Sequence, residues 1–129
     1  MNKQQIDDCL TRTLQGAMTF PEVVGVLLHE GVERYRADLT EMKVTWYTAN
    51  GQTHSGPIAL QDAPGIADAF SKESVVSAIR GAQSGQLRYP EFLRAICDAG
   101  VTDYTAFLSG RRVVYTGRHG DSHTELFPS

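Results

Sequence analysis

The sequence predicts an α+β fold in which an α-α-β-β-β unit occurs twice, giving four helices against a six-stranded, mainly antiparallel sheet with pseudo-twofold symmetry. Residues 2–60 align with residues 71–129 without a gap, and twelve of the 59 aligned pairs are identical. Unrelated positions of ordinary composition should match at only about 6%. In both units, apolar residues first recur at helical spacing and then alternate with polar ones, as in strands. These observations together indicate an internal duplication.

The length of 129 residues is typical of a single domain. A unit of about sixty residues buries too little surface to be stable alone, so the two units should share one core. We therefore predict one domain, 1–129, built from the repeats 2–60 and 71–129. The linker is 61–69, where Pro64-Gly65 marks a break in regular structure. Two arrangements stay open at this point: the half-sheets lie side by side, or they stack face to face.

The first helix of each unit is predicted from its apolar stripe. In the first unit it spans about 3–16, with Ile6, Cys9 and Leu10 on one face. In the second unit Ser71 takes the position of the helix cap. Gly16 and its repeat equivalent are placed to end these helices.

The second helix begins at Thr19-Phe-Pro-Glu22, a capping box with proline in the first turn. Its copy keeps the proline and the glutamate but has Arg88 in place of the capping hydroxyl. Both second helices should end at glycine, at Gly31 and Gly100, because glycine adopts the left-handed conformation that follows a last helical turn.

Three strands follow in each unit, at about 33–39, 43–49 and 52–58 in the first. Alternation predicts that Tyr35 and its neighbours at even spacing face the helices, while Arg34 and Arg36 face away. Asn50-Gly51 predicts a two-residue hairpin turn between the second and third strands. His119-Gly120 occupies the same place in the second unit.

A two-residue turn would pair Tyr47 with His54, and Thr116 with His123. Both histidines would then lie on the sheet face opposite the helices, close to the arginines of the first strand. Two imidazoles and several guanidinium groups near a twofold axis could hold an anionic ligand. The candidate ligand-binding residues are His54, His123, Tyr47, Arg34, Arg36 and Arg112.

The same face could instead be covered by a partner subunit, which is the commoner role for such histidines. The apolar residues expected there are interface candidates, since exposed apolar patches usually bind partners. They are Phe107, Val114, Phe127 and Ile58.

Other side-chain chemistry is sparse. Cys9 and Cys97 align with small or apolar positions and should be buried free thiols. The run from His119 to His123 resembles a metal site, but a transition metal needs three or four convergent ligands. We therefore expect no metal, no cofactor and no catalytic residue.

The composition excludes several classes of partner. A net charge of −3 argues against a nucleic-acid binder. The longest apolar run is far shorter than the roughly 20 residues of a membrane helix, and the N-terminus has no apolar signal core. We expect a cytoplasmic protein that contacts neither nucleic acid nor membrane.

Three functions are ranked on these grounds. The first is a non-enzymatic binding or protein-interaction module, expected to be a homodimer. The second is a small-molecule binding protein, whose anionic ligand lies near the pseudo-dyad between His54 and His123. The third is an enzyme that uses one of these histidines as a general base, for which spacing reveals no other active-site group.

The segments FPEVV, GVERYRADL and VTWYTANG resemble a family of uncharacterised bacterial proteins of about this length, some of them labelled "phage envelope protein". The resembling motifs begin helices, end them or form an aromatic strand, so the resemblance implies a fold rather than a reaction. It implies a small cytoplasmic protein of prophage or accessory origin, with no catalytic residue to transfer to this chain.

Overall fold

The computed structural model describes residues 1–128; Ser129, the last position of the second repeat, lies outside the described residues. The elements of the first unit are α1 (Lys3–Leu14), α2 (Phe20–His29), β1 (Val32–Asp38), β2 (Lys43–Thr48) and β3 (Thr53–Pro57). Those of the second are α3 (Lys72–Gln83), α4 (Tyr89–Asp98), β4 (Val101–Phe107), β5 (Arg112–Gly117) and β6 (Ser122–Leu126). This order confirms the predicted α+β fold and its repeated α-α-β-β-β unit.

The six strands form one antiparallel sheet in the order β3-β2-β1-β4-β5-β6. The two halves meet where β1 pairs with β4. Arg36 lies directly opposite its repeat equivalent Thr105, so the pseudo-twofold axis passes between these two residues. The side-by-side arrangement is therefore correct and the stacked alternative is wrong. Joining the halves in this way satisfies the backbone groups that each half-sheet would otherwise expose at its first strand.

The starts of α2 and α4 follow the predicted capping chemistry. The amide of Thr19 donates to Glu22 Oε1 at 2.9 Å, and the amide of Glu22 donates to Thr19 Oγ1 at 3.4 Å. The Thr19 hydroxyl also donates to Glu22 Oε1 at 3.0 Å. The hydrogen bonds that Thr19 donates to this carboxylate, first from its amide and then from its hydroxyl, lower the pKa of Glu22. In α4 only half of the box remains, where the amide of Arg88 donates to Glu91 Oε1 at 3.1 Å.

The helices cover one face of the sheet, and a continuous core lies beneath them. Ile6 and Leu27 of the first unit, and Ile96 and Val101 of the second, are all at most 1% exposed. Both cysteines are free and buried in this core, as predicted. The opposite face, which we call the open face, is not covered by any helix among the described residues.

The predicted register of the third strands is wrong by one residue. Thr48 pairs with Gln52 through a 3.0 Å hydrogen bond from its amide, which leaves a three-residue loop, 49–51. Gly51 ends this loop with φ of 90°. Asn50-Gly51 therefore forms the last two residues of a three-residue loop rather than the centre of a two-residue turn. Gly120 ends the equivalent loop of the second unit with φ of 84°.

One extra loop residue moves every side chain of a strand to the other face. His54 is consequently opposite Trp46, and His123 opposite Tyr115, instead of Tyr47 and Thr116. Both histidines thus lie on the helix-covered face. The prediction that they lie on the open face is wrong, and the same correction applies to the residues that alternate with them in β3 and β6.

The linker is bound to the second unit by hydrogen bonds. Arg94 of α4 donates to the carbonyl oxygens of Gln61 and Asp62. Arg118 donates to the carbonyl of Ile66 at 2.8 Å. The break at Pro64-Gly65 is therefore an ordered connection and not a free tether.

In the part of the chain that the structure describes, no helix is long and apolar enough to cross a membrane.

Candidate functional site

A cavity of about 660 Å³ lies between the helices and the sheet, at the pseudo-twofold axis. We call it the central cavity. Both units line it with the same repeat positions, so it is a shared feature of the duplicated fold. The matched lining pairs are Leu10/Ile79, Thr13/Ala82, Gly16/Gly85, Met18/Leu87, Thr19/Arg88, Phe20/Tyr89, Val23/Phe92, Tyr35/Tyr104, Val44/Val113 and Trp46/Tyr115.

Four aromatic side chains from the inward-facing strand positions form the floor of the central cavity. Tyr35 and Tyr104 flank the axis with ring centroids 6.3 Å apart. Tyr115 follows Tyr104 at 5.4 Å, and Trp46 takes the equivalent place in the first unit. The strand alternation that buries these residues also places their rings side by side across the sheet.

The helices supply the walls. Tyr89, the first residue of α4, reaches the floor, where its hydroxyl oxygen lies 2.6 Å from that of Tyr104. Phe92, one turn along α4, packs edge-on against Tyr115 at 6.4 Å. The equivalent of Tyr89 in the first unit is Phe20, which is 38% exposed at the edge of the cavity.

The hydroxyls of Tyr35 and Tyr115 are available to a ligand. Both side chains are buried, with 7% and 5% of their surface exposed. Within residues 1–128, Arg34 Nη1 is the one fully enclosed side-chain nitrogen or oxygen that has no hydrogen-bond partner. The two phenol oxygens make no hydrogen bond to the described protein, and both side chains line the cavity.

Burial keeps the phenols of this cluster protonated. Desolvation is the largest cause for each of them, and it raises the pKa of Tyr89 to about 12 even though a hydrogen bond with Tyr104 opposes the shift. Desolvation likewise raises the pKa of Tyr35 and Tyr104 well above the usual value, and raises that of Tyr115. At neutral pH all four groups therefore carry a hydrogen that they can donate.

A carboxylate lies at one end of the cavity. Glu125 of β6 accepts a hydrogen bond from Arg80 Nη1 at 2.7 Å, and its other oxygen lies 3.1 Å from His123 Nε2. Burial alone would raise the pKa of Glu125, but these hydrogen bonds and the charge of Arg80 outweigh it and lower the pKa. The group is thus ionised at neutral pH, and Gly56 stands at its position in the first unit.

The two ends of the central cavity consequently differ in polarity. The second unit has Tyr89, Tyr115 and Glu125 where the first has Phe20, Trp46 and Gly56. Each replacement adds a hydroxyl or a carboxylate to the second unit's side. The backbone is pseudo-symmetric, whereas the chemistry of the lining is not.

The two histidines predicted to form one site are not brought together. His54 stacks on Trp46 at 5.4 Å, and its Nε2 lies 2.7 Å from Asp7 Oδ1 of α1. His123 stacks on Tyr115 at 6.5 Å. Strands β3 and β6 are the two edges of the sheet, five strand spacings or about 24 Å apart. No ligand near the axis could bridge these side chains, so that part of the prediction is wrong.

The other four ligand candidates do lie on the open face. The guanidinium carbon of Arg34 lies 4.0 Å from the ring centre of Tyr47. Arg36 Nε donates to Asp103 Oδ2 at 3.3 Å, and Arg112 is exposed on β5. Arg112 Nε donates to the carbonyl oxygen of Gly110 at 3.2 Å. The sheet separates all three arginines from both histidines.

The interface candidates are divided between the two faces. Phe107 and Val114 lie on the open face and are partly buried. Ile58 is only 3% exposed in the core, and Phe127 packs edge-on against Phe20 at 5.1 Å on the helix side. The last two were misplaced by the same register error that misplaced the histidines.

The central cavity was not predicted, because strand alternation indicates that Tyr35 faces the helices but not that a space remains between them. The repeat alignment nevertheless contained a signal, since aromatic residues recur at three inward-facing positions: 20/89, 35/104 and 46/115.

Within residues 1–128, no group of three or more histidine, cysteine, aspartate or glutamate side chains is placed to hold a metal ion.

Comparison with known proteins identifies relatives but no activity. No family model matches the chain. Over 108 residues, which are 84% of the chain, it is 30% identical to uncharacterised proteins of Mycobacterium bovis and of two strains of Mycobacterium tuberculosis. The chain spans 66% of the length of each of these relatives, just under two thirds. The label "phage envelope protein" has no support among them. The chain is thus a homologue of uncharacterised mycobacterial proteins, which confirms the predicted relationship to uncharacterised bacterial proteins.

Proposed function

We propose that this protein is a non-enzymatic small-molecule binding protein, whose ligand is an apolar ring compound held in the central cavity. The observation that carries the proposal is the cavity itself, about 660 Å³ and lined by matched aromatic residues of both units. Ligand sites commonly have volumes of about 300–1,000 Å³ and mostly apolar walls with a few polar groups. The central cavity fits that description.

The lining favours an apolar ligand over the anionic one expected from the sequence. Arg88 and Glu125 are the only charged residues among the lining residues, and their charges are opposite. Arg88 is exposed at the edge of the cavity, so it offers little to a buried anion. Binding is favoured over catalysis because phenols with a raised pKa are donors at neutral pH rather than bases or nucleophiles.

The neutral solvatochromic dye Nile red tests the proposal. We expect it to bind the purified protein with a blue shift and to quench the fluorescence of Trp46, the single tryptophan, which lines the cavity. Ala82→Phe on α3 should block the cavity at its exposed edge and weaken binding at least tenfold. Ser77→Phe is the matched control, since Ser77 is exposed on the same helix and is not part of the lining.

Two results would contradict the proposal. The first is that Nile red does not bind the wild-type protein. The second is that Ala82→Phe and Ser77→Phe bind it equally well while both variants keep the wild-type melting temperature, which would place the dye outside the cavity.

We propose association of two copies of the chain through the open face as a second, compatible role. It is supported by Phe107 and Val114, which are apolar residues on a sheet face that no helix covers. Val114→Lys should convert a dimer to a monomer in sedimentation equilibrium. A wild-type protein that is monomeric at micromolar concentration would eliminate this role.

The two buried free thiols support a cytoplasmic location, since reducing compartments preserve them.

A further inference from the structure

We propose that the ligand of the central cavity is a neutral carbonyl compound, whose oxygen accepts a hydrogen bond from a free tyrosine hydroxyl of the lining, that of Tyr115 or that of Tyr35. This inference rests on the proposed function, because it names the chemical class of the molecule that occupies the same cavity. The ring of the ligand would lie toward Phe20, and the carbonyl group toward the tyrosine hydroxyls.

The first argument is the number of hydrogen-bond donors in the cavity that have no acceptor in the protein. Tyr89 and Tyr104 share one hydrogen bond at 2.6 Å, and whichever hydroxyl accepts it keeps its own hydrogen. Tyr35 and Tyr115 each keep theirs, since neither bonds to the described protein. Three phenol donors thus remain in a mostly apolar space, together with the indole N–H of Trp46, which also has no partner in the described protein. Buried polar groups are almost always satisfied. A carbonyl oxygen accepts a hydrogen bond from such a donor and brings no unsatisfied donor of its own.

The second argument concerns charge. The carboxylate of Glu125 contributes to the lining near Tyr115, and its partner Arg80 does not line the cavity. An anionic ligand would therefore meet a carboxylate while it loses its own hydration, and a buried unpaired charge is costly. A neutral acceptor avoids both costs and still satisfies the phenol donors.

The third argument is orientation. Phe20 replaces the hydroxyl-bearing Tyr89 at the first unit's end, so a ring placed there meets an apolar ring, and Trp46 offers an indole N–H in place of the Tyr115 hydroxyl. A ring compound with one carbonyl oxygen can pack its ring at one end of the cavity and accept a hydrogen bond from a phenol at the other. The reversed orientation would place the carbonyl group against Phe20 and leave the phenols without an acceptor.

Three bicyclic compounds of similar size test the inference by competition against Nile red: 1-tetralone, tetralin and 1-naphthoate. We expect 1-tetralone to bind about tenfold more tightly than tetralin, the ratio that 1.4 kcal/mol of hydrogen bonding produces. Naphthoate should bind more weakly than 1-tetralone. In the Tyr35→Phe/Tyr115→Phe double variant the preference for the ketone should fall below about threefold, while tetralin binding is retained. Tyr47→Phe on the open face is the control and should keep the full preference.

The outcomes separate this inference from the function on which it rests. If tetralin and Nile red bind but the ketone has no advantage, or if naphthoate binds best, the inference is wrong and the cavity remains a binding site. If the double variant keeps the ketone preference, the two tyrosines are not its cause. If neither Nile red nor any of the three compounds binds, the proposed function fails with it.

Discussion

Tyr35 and Tyr104 occupy the same position of the two repeats, yet their hydroxyls should differ in what they contribute to stability. The hydroxyl of Tyr104 is hydrogen-bonded to Tyr89 at 2.6 Å, whereas that of Tyr35 has no partner in the described protein. Removing each hydroxyl with a Tyr→Phe substitution keeps the ring and its packing. The pair therefore compares one buried hydrogen bond with none in nearly the same surroundings.

The expected change in the free energy of unfolding follows from this one hydrogen bond. A neutral hydrogen bond contributes about 0.5–1.5 kcal/mol to the free energy of unfolding, so Tyr104→Phe should cost about 1 kcal/mol. Tyr35→Phe should change it by less than about 0.5 kcal/mol, because only a solvated or cavity-facing hydroxyl is lost. In a double-mutant cycle with Tyr89→Phe, the coupling energy should be about 1 kcal/mol for Tyr104 and near zero for Tyr35.

Equilibrium unfolding in urea, followed by the fluorescence of Trp46, measures these values. The midpoint of Tyr104→Phe should fall with an unchanged slope, and that of Tyr35→Phe should not. An equal loss in both variants would show that Tyr35 has a protein partner after all, and the donor count in the cavity would then be wrong. A vanishing coupling between Tyr89 and Tyr104 would refute the hydrogen bond itself.

Two further predictions concern the backbone and the thiols. Gly31→Ala should cost about 1–2 kcal/mol for the left-handed conformation alone, since φ is 81° and no atom lies within 4 Å of the added Cβ. Gly100→Ala should cost clearly more, about 3 kcal/mol or above, because the Cβ would overlap the Ala69 carbonyl of the linker; equal midpoints in urea would disprove the clash. Burial raises the pKa of Cys97 to about 11, and also raises that of Cys9, so both thiols should react with a disulfide reagent only on unfolding. A fast native-state reaction of either thiol would contradict that burial.

The fold was predictable because its determinants are local and occur twice. The capping box at Thr19 and Glu22, the glycines at Gly31 and Gly100, and the strand alternation each act within a few residues. Side-by-side pairing of β1 with β4 was not predictable in the same way. It depends on which strand edge is left unpaired once each half has formed, and no short pattern records that.

The predicted histidine site is wrong because the loop before each third strand has one more residue than predicted. Asn-Gly fits both a two-residue turn and the end of a three-residue loop, and the choice between them decides the face of every residue in the next strand. His54 and His123 were therefore assigned to the wrong face, and Ile58 and Phe127 with them. The burial of Ile58 and Phe127 follows from the same shift.

The divergence of the two repeats explains why the cavity can have a function that neither repeat could have alone. A symmetric duplication produces two like half-cavities, which suit only a symmetric ligand or none. Changing one half at Phe20/Tyr89 and Gly56/Glu125 adds a hydroxyl and a charge on one side only, and the Trp46/Tyr115 difference exchanges an indole N–H for a hydroxyl. The packed core tolerates this because Phe and Tyr differ by one hydroxyl, which faces the cavity rather than the interior. A buried hydroxyl without a partner is costly to a core but useful to a binding site, so we attribute the unpartnered hydroxyls of Tyr35 and Tyr115, one in each half, to ligand recognition rather than to packing.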